Sequence, residues 1–393
     1  MSFLFSSVRR QLIGAFVAVC LVFIVALAAS ALQAPLWIHY RRMDFVRQRS
    51  LQAVEPVLAF VVTVGLAVAG AGYWSLVIGV AVGAIAAAVA ALATSPLPVK
   101  VRFERHSLRQ YASFSWPLFV AAAASLVIAQ TSILVGNEVL GLSGVGIIAL
   151  AASVSNYVNR VDQMVTEALY PAICAVRDRL DLLFESFVKS NRLALMWGLP
   201  FGVGLALFAP DLVRYGLGEQ WQPGVRLIQA FGIIAGIGHI GFNWDAFYRA
   251  RGQTRPIAVW SVLCMVAFLA AAIPLLVEDG LDGLAIGMTI MAAVSLGVRL
   301  WYLGQLFPGL AILRHIARAL APTVPAVAVV LLLRLVDGDH RTAAAAVAEL
   351  VAYLVVTAAA TFVLERALLR EVLGYLRPGR TGGEARPLVG QST

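Results

Sequence analysis

The sequence predicts an all-α, polytopic transmembrane helical bundle of about 11 helices, arranged as two pseudo-repeated lobes around a central cavity. Three observations support this fold class. Hydrophobic residues make up 61% of the 393 residues and charged residues 13%, about half the charged fraction of a soluble domain. The apolar segments have membrane-spanning length, about 20 residues each. Most Arg and Lys residues lie in every second connection, as expected for a chain oriented across a bilayer.

Each predicted helix is an apolar run bounded by charged residues or turn-forming residues. The first run follows Arg9 and Arg10, but it is too long for a signal-peptide core and has further spans behind it. We place the helices at 11–38, 51–71, 73–94, 111–136, 143–170, 191–215, 224–248, 256–277, 281–304, 311–335 and 343–366.

The distribution of basic residues predicts which connections face the cytoplasm. The opposite connections are short and acidic, as at Asn137-Glu138 and Glu278-Asp279. Arg9-Arg10 is the one clustered exception. With the 39–50 loop in the cytoplasm, the cytoplasmic connections contain Arg41, Arg42, Arg47 and Arg49; Lys100, Arg102, Arg105 and Arg109; Arg177, Arg179, Lys189 and Arg192; Arg249, Arg251 and Arg255; Arg314 and Arg318; and Arg366, Arg370, Arg377, Arg380 and Arg386.

An internal repeat organises these helices. The motif G-x-x-x-L-x-x-G occurs at 72–79 and at 280–287, each time after an apolar span that follows a basic loop. Helices one to three therefore match helices seven to nine, as a parallel repeat. Three more helices precede the second copy and none precedes the first. We therefore expect that the chain lacks three N-terminal helices of a complete two-lobed protein.

The repeat sets the expected domain boundaries. Residues 1–110 form an incomplete first lobe of three helices, and 111–304 form a second lobe of six. Two additional C-terminal helices follow at 305–366, and the tail at 367–393 is expected to be cytoplasmic and disordered. The connection at 171–192 resembles an amphipathic surface helix, in which Leu183 and Phe187 can face the bilayer.

Composition and motifs exclude several classes of function. The net charge of +9 is explained by membrane orientation, so no nucleic-acid partner is expected. Three scattered cysteines indicate neither a disulfide framework nor a metal cluster. The sequence contains no P-loop, G-x-S-x-G, H-E-x-x-H or C-x-x-C motif. We therefore predict a protein that is not an enzyme and has no cofactor or metal.

The densest set of polar residues in a predicted span lies on helix 143–170. Asn156, Arg160, Gln163 and Glu167 follow i, i+4, i+7, i+11 spacing and form one stripe, which we call the polar stripe. Polar groups inside spans usually face a cavity or a partner helix. A buried guanidinium stays charged and can bind a phosphate through two hydrogen bonds. Alternatively, Arg160 pairs with an acid on a neighbouring helix and stabilises the bundle.

A second set of candidate residues lies on helix 224–248, where a series of glycines permits a bend or close helix contact. Asp245 and Arg249 have the spacing of a local ion pair. His239 is either a satisfied bundle histidine or a proton relay. Trp244 and Tyr248 are either interfacial residues or stacking surfaces for sugar rings. The complete candidate set is His239, Asn243, Trp244, Asp245 and Tyr248.

Four short segments resemble motifs of the oligosaccharide flippases of bacterial lipopolysaccharide and exopolysaccharide synthesis. Residues 40–45 (YRRMDF) resemble the "RRLDF" turn, and 70–76 (GAGYWSL) the "GxGYWAL" turn. Residues 114–118 (FSWPL) resemble the "FGLPL" helix start, with Ser115 and Trp116 in place of small residues. Residues 216–221 (GLGEQW) resemble the "LLGEQW" turn, which is the most specific match.

The resemblance implies the two-lobed fold shared with multidrug exporters and lipid-linked precursor flippases. It implies transport of an undecaprenyl-pyrophosphate-linked oligosaccharide, or a related glycolipid, across the inner membrane by rocking of two lobes. Arg160 would meet the pyrophosphate, and Asn156 and Gln163 would bind sugar hydroxyls. Expected partners are the bilayer, this substrate, a polysaccharide polymerase and glycosyltransferases. These roles follow from the polar stripe itself; the family has no strict catalytic motif and assigns no site residue.

Two alternatives stay open at the sequence level. A cation-coupled multidrug exporter of the same superfamily would need deep carboxylates in the first lobe, where only Glu55 is available. A membrane-embedded polysaccharide polymerase or ligase would use a large outer loop, and no outer connection here is long enough.

Overall fold

The computed structural model describes residues 28–95, 104–309, 317–318, 320–337, 341–366 and 370, without the side chains of residues 155, 156, 158 and 161. Within these ranges all regular structure is helical, which confirms the all-α fold class. The α-helices are α1 (Leu36–Arg41), α2 (Phe45–Val68), α3 (Trp74–Ala93), α4 (Arg105–Ala175), α5 (Leu180–Asp211), α6 (Val225–Gly238), α7 (Trp244–Ala250), α8 (Arg255–Ala267), α9 (Ile273–Leu306), α10 (Thr323–Asp337) and α11 (Ala343–Leu364).

Six helical stretches in the described ranges are long and apolar enough to cross a membrane. They are Phe45–Val68, Trp74–Ala93, Arg105–Val154, Leu180–Leu217, Arg255–Leu306 and Ala343–Leu364. The protein is therefore a multi-pass membrane protein, as predicted. Most of the predicted first helix (11–38) and of the tail (367–393), and part of the predicted helix 311–335, lie outside the described residues.

Two of the long helices fold back on themselves at a glycine. Gly141 in α4 and Gly280 in α9 have left-handed φ angles of 70° and 63°, which glycine adopts without steric cost. A Cβ built on Gly136 would lie 3.2 Å from Ile148 Cδ1, whereas a straight helix would separate these positions by about 18 Å. Each long helix is therefore a pair of antiparallel arms, as the predicted boundaries require.

The repeated glycine motif has the same geometry in both copies. Gly72 and Gly280 have φ angles of 55° and 63° and turn the chain. Gly79 and Gly287 then pack against the helix before the turn. An added Cβ would lie 2.9 Å from a backbone oxygen at Gly79 and 2.8 Å from an alanine Cβ at Gly287. The first glycine thus permits the turn and the second permits close contact of the two helices.

The two copies belong to different compact units, Met1–Arg105 and His106–Thr393. In the first unit, α2 begins six residues earlier than the predicted start at 51, because the Asp44 carboxylate accepts a hydrogen bond of 3.2 Å from the Arg47 backbone N–H. A side chain that caps a helix start satisfies one of its free donors. The predicted lobes and their boundaries stay a prediction.

In the second unit, α5 and α6 approach each other closely through glycines. A Cβ on Gly202 of α5 would lie 2.6 Å from the Gly236 backbone nitrogen, and one on Gly232 would lie 2.8 Å from the Gly202 carbonyl oxygen. Contact at this distance excludes any side chain. The glycine series on helix 224–248 thus permits the close approach that its composition indicated.

The predicted helix 224–248 is broken in the structure. Helix α6 ends at Gly238, α7 begins at Trp244, and the turn between them contains Gly241 and Asn243 with φ angles of 76° and 64°. Asparagine tolerates this left-handed conformation better than most residues with a side chain. The break leaves carbonyl groups without helical partners in the interior of the unit, and other helices must satisfy them.

The prediction of an amphipathic surface helix at 171–192 was wrong. Helix α5 runs without interruption from Leu180, and Leu183 and Phe187 are 0% and 1% exposed. The Phe187 ring stacks on Phe307 at 5.1 Å and meets the edge of Phe247 at 5.5 Å. The apolar face is thus covered by protein, because periodicity predicts a buried face without specifying what covers it.

Candidate functional site

The described part of the polar stripe lies on an exposed face of the second arm of α4, the part that follows Gly141. Arg160, Gln163 and Glu167 are all exposed, and the side chain of Asn156 lies outside the described residues. No ion pair to Arg160 occurs among the described residues, so its predicted pairing with a neighbouring acid is not found there. A charged group on a membrane helix is costly in lipid and usually faces water, protein or a polar ligand.

The inner face of the same helical arm contacts the break between α6 and α7. Asp162 Oδ2 lies 2.9 Å from His239 Nε2. One turn later, the Thr166 hydroxyl donates a hydrogen bond to Asn243 Oδ1. The i, i+4 spacing of Asp162 and Thr166 places both on one face of the helix. The arm therefore presents polar groups on two faces, one exposed and one packed against the break.

Two further helices satisfy the carbonyl groups at the break. Asn191 of α5 donates a hydrogen bond of 2.9 Å to the His239 carbonyl oxygen. Arg299 of α9 donates to the carbonyl oxygens of Gly238 and Ile240, the second at 2.9 Å. Polar backbone groups in a membrane interior need such partners. We call the six side chains that meet here the break cluster: Asp162, Thr166, Asn191, His239, Asn243 and Arg299.

His239 is the most enclosed member of the break cluster, with 1% of the residue exposed. Its Nδ1 lies 2.7 Å from the Ala235 carbonyl oxygen. The ring occupies space that Gly198 of α5 leaves free, because a Cβ at Gly198 would overlap the imidazole. The Trp197 ring lies at 6.1 Å, nearly perpendicular to the imidazole.

Two of the predicted site residues form part of the protein core. Trp244 and Tyr248 are each 4% exposed. Trp244 stacks on Tyr302 at 5.9 Å, and the Tyr248 hydroxyl donates a hydrogen bond of 2.8 Å to the Tyr302 carbonyl oxygen. In this conformation the rings are covered by protein, so they neither anchor at a membrane interface nor offer a face to a sugar. We therefore exclude them from the binding surface.

Asp245 forms the ion pair that its spacing predicts. Its Oδ2 lies 2.9 Å from Arg249, four residues later, and both side chains are about one third exposed. The Arg249 guanidinium also lies 5.5 Å from the centre of the Tyr170 ring on α4. Asp245 therefore links α7 to α4 through Arg249, and its charge is largely balanced locally.

A second group of charged residues joins the C-terminal helices α10 and α11 to α5. Asp211 accepts hydrogen bonds from Arg341 and Arg334, and Glu349, which is 2% exposed, accepts from the same two arginines at 3.0 and 3.1 Å. We call these four residues the C-terminal ion cluster. The hydrogen bonds that Arg341 donates to the Asp211 carboxylate raise the pKa of Arg341 above its ordinary value. At the other end of α11, Glu365 pairs with Arg192 of α5.

An apolar groove lies between α5 and α11. The C-terminal ion cluster closes one end of it, and the Arg192–Glu365 pair closes the other. Its volume is about 950 Å³, and α5 and α11 contribute most of its lining, including Phe201 and Leu350. Tyr353 crosses from α11 to α5, where its hydroxyl donates a hydrogen bond of 2.7 Å to the Pro200 carbonyl oxygen. Among the described residues, no group of three His, Cys, Asp or Glu side chains is placed to hold a metal.

These features define a polytopic, all-α membrane protein with a broken helix and an exposed polar face in its second unit. Residues 8–226 match the family model described as "Polysaccharide biosynthesis protein". This match covers more than half of the chain, and the chain belongs to this family. The resemblance that the four sequence motifs indicated is therefore confirmed.

Two curated relatives are similar to part of the chain. The succinoglycan biosynthesis transport protein ExoT of Rhizobium meliloti (strain 1021) is 24% identical over 259 residues, which is 65% of this chain and 52% of the relative. An uncharacterized membrane protein in the cps region of Klebsiella pneumoniae is 22% identical over 241 residues, 61% of this chain and 50% of the relative. The chain thus spans about half the length of the curated relatives it matches.

One solved structure shares the fold. The lipid II flippase MurJ, in an inward closed conformation, superposes with a TM-score of 0.52 and 13% sequence identity, over 80% of this chain and 68% of the flippase. At this identity the likeness concerns the fold alone.

Four members of the break cluster were not among the candidate residues predicted from the sequence. They are Asp162, Thr166, Asn191 and Arg299. Asp162 and Thr166 carry a local signal, since they are four residues apart beside the polar stripe. Asn191 and Arg299 carry no such signal, because their role depends on a helix break that the apolar run 224–248 does not predict.

Proposed function

We propose that this protein is a flippase for a lipid-linked oligosaccharide. It would move an undecaprenyl-pyrophosphate-linked repeat unit, or a related glycolipid, across the bacterial inner membrane during synthesis of a surface polysaccharide. Family membership supports a role in polysaccharide biosynthesis. The name of the succinoglycan relative and the fold of the lipid II flippase support transport of such a precursor.

The observation that carries this proposal is the exposed arginine on the second arm of α4. Arg160 lies on α4 after the candidate membrane span Arg105–Val154, and it has no ion pair among the described residues. Gln163 and Glu167 extend the same exposed face. A guanidinium can bind a pyrophosphate by two parallel hydrogen bonds, and amide groups can bind sugar hydroxyls. A substrate with both groups would bind Arg160 and Gln163 together, whereas an apolar drug offers neither a phosphate nor hydroxyl groups.

The proposal includes an orientation and partners. The basic connections would face the cytoplasm, where they would attract the anionic headgroup of the substrate. A polysaccharide polymerase and glycosyltransferases would act on the same substrate before and after translocation. The carrier itself would bind and release the substrate without chemical change, so it would not be an enzyme.

The test is a flipping assay on the full chain in proteoliposomes. The probe is a fluorescent farnesyl-pyrophosphoryl-N-acetylglucosamine, and an impermeant reductant destroys the label in the outer leaflet only. Arg160→Ala should slow flipping about tenfold or more, because a charge-assisted contact is lost. Arg160→Lys should give an intermediate rate, since a lysine keeps the charge but not the bidentate geometry.

The matched control is Arg226→Ala, which removes an exposed arginine that pairs with Asp282, and it should stay within about twofold of the parent. Unchanged flipping by Arg160→Ala, at equal protein content, would contradict the assigned site. Failure of the full chain to move the probe would contradict the function. Equal transport of a probe without a pyrophosphate would favour a less selective carrier.

A further inference from the structure

The contacts of His239 determine how many protons the break cluster holds. Nδ1 lies 2.7 Å from the Ala235 carbonyl oxygen, which can only accept a hydrogen bond. Nδ1 must therefore carry a proton in either charge state of the ring. The charge of His239 then depends only on whether Nε2 carries a proton as well.

Nε2 faces the Asp162 carboxylate at 2.9 Å. The carboxylate oxygen lies off the direction of the Nε2–H bond, so the contact is an ion pair and not an aligned hydrogen bond. It is attractive when one proton is present on either partner. Without that proton, a nitrogen lone pair would face an ionised carboxylate across 2.9 Å, on a ring that is almost fully buried. The close contact therefore requires one proton.

The other charged groups near the pair are contributed by different helices. The Arg299 guanidinium of α9 contacts the carbonyl oxygens on both sides of His239. Asp245 of α7 is balanced by Arg249. Asn191 of α5 donates a hydrogen bond to the His239 carbonyl oxygen, and the Trp197 ring lies beside the imidazole. Asn191 and Trp197 are both uncharged. Arg299 stays charged at every accessible pH, so the groups that can exchange a proton here are Asp162 and His239.

We propose that Asp162 and His239 form a proton-binding site that controls the attachment of α4 to the broken helix. With the proton bound, the second arm of α4 is held at the break through Asp162. Loss of the proton opens this contact and leaves the Thr166–Asn243 hydrogen bond and the Arg249–Tyr170 contact between α4 and the broken helix. Because the polar stripe lies on the exposed face of the same arm, the proton would affect substrate binding. This last step rests on the proposed function.

Proton binding can be measured without any substrate. The purified full chain, labelled with ¹⁵N only in its five histidines, is titrated by NMR from about pH 5 to pH 9, the range in which histidines usually change charge. His239 is assigned as the signal lost in His239→Gln. We expect its Nε2 to change protonation in the parent, and this change to be displaced or lost in Asp162→Asn.

Asp162→Asn has a defined physical effect. The asparagine amide can donate a hydrogen bond to an unprotonated Nε2, so the contact can persist without the titrating proton. The control is Asp282→Asn, which makes the same chemical change in an exposed ion pair. A parent protein whose His239 Nε2 keeps one state throughout the titration would overturn the proposal, whether or not the variants fold.

The flipping assay tests the consequence for transport. The parent rate should change about fivefold or more between pH 5.5 and 8.5, because the ratio of protonated to unprotonated sites changes about tenfold for each pH unit. In Asp162→Asn the change should fall below about twofold, and Asp282→Asn should keep the parent profile. An unchanged profile in Asp162→Asn would refute control by this site while leaving the flippase function intact. A titrating site in a chain that moves no probe would refute the function and leave the proton site.

Discussion

The break cluster and the C-terminal ion cluster both hold charged groups in the second unit, but they are balanced in different ways. In the C-terminal ion cluster, two arginines face two carboxylates, and the arginines keep their charge at every accessible pH. In the break cluster, the permanent charge of Arg299 is directed at backbone carbonyls, and Asp162 faces a histidine. The first arrangement is suited to a fixed attachment, and the second can respond to protons.

The largest effect is expected from breaking the C-terminal ion cluster. Glu349→Ala leaves Arg334 and Arg341 with one carboxylate between them in a largely buried site, which should lower the free energy of unfolding by about 3–5 kcal/mol. Thermal unfolding of the purified protein in detergent measures this loss. Glu185→Ala, which removes an exposed i, i+4 pair with Lys189, should change stability by less than about 1 kcal/mol. Equal effects of the two variants would show that the cluster is not a stabilising attachment.

Removing the permanent charge from the break cluster should have the next largest effect. Arg299→Met leaves the Gly238 and Ile240 carbonyl oxygens without this donor, at a cost of about 1–3 kcal/mol for each group that stays unsatisfied. Arg299→Lys should recover part of the loss, because an ammonium can donate to both oxygens. Thermal unfolding again measures the difference. Identical stability of the two variants would indicate that solvent or lipid satisfies the break.

A single methyl group should distinguish a crowded from an uncrowded glycine of the second unit. Gly198→Ala places a Cβ within the volume of the His239 ring and should cost about 1–3 kcal/mol. Gly146→Ala, where no atom lies within 4 Å of the added Cβ, should be neutral or stabilising by up to about 1 kcal/mol. The Gly198 variant should also alter the His239 NMR signal. A Gly198→Ala variant with the parent's His239 signal and the parent's stability would contradict the close contact between Gly198 and the His239 ring.

The smallest effect is expected from pH on the C-terminal ion cluster. Hydrogen bonds raise the pKa of Arg341, so its contribution to stability is fully present below the pKa of the unfolded chain and is lost only as pH rises through the higher folded value. Both lie far above neutral pH. The difference in melting temperature between the parent and Arg341→Gln should therefore be the same at pH 6.5 and 8.5. A difference that changes with pH in this range would show that the carboxylates are not permanently ionised.

Much of the fold could be predicted from the sequence because a membrane imposes simple rules. Apolar length sets the spans, and glycines at matching positions mark the turns, as at Gly72 and Gly280. The glycine series on helix 224–248 permits a bend, but a complete break after Gly238 was not predicted, because residues 239–243 contain two apolar residues and no proline. Tertiary partners such as Asn191 and Arg299 satisfy the backbone groups at the break, and the sequence does not show that they do so.

The candidate site was predicted less completely than the fold. The spacing of Arg160, Gln163 and Glu167 correctly placed them on one face, and the structure exposes that face. Spacing alone did not show that Trp244 and Tyr248 are buried, since aromatic residues near a helix end occur both at membrane interfaces and in cores. What covers a face depends on helices that are distant in sequence.

The space that Gly198 leaves for His239 constrains the order in which these two residues could arise. In a lineage with a larger residue at position 198, a new imidazole would meet that side chain, at a packing cost like that of Gly198→Ala. The order with the smaller cost is glycine first, which leaves a small void, and histidine second. Reversion costs least in the opposite order, with the ring lost before position 198 is enlarged.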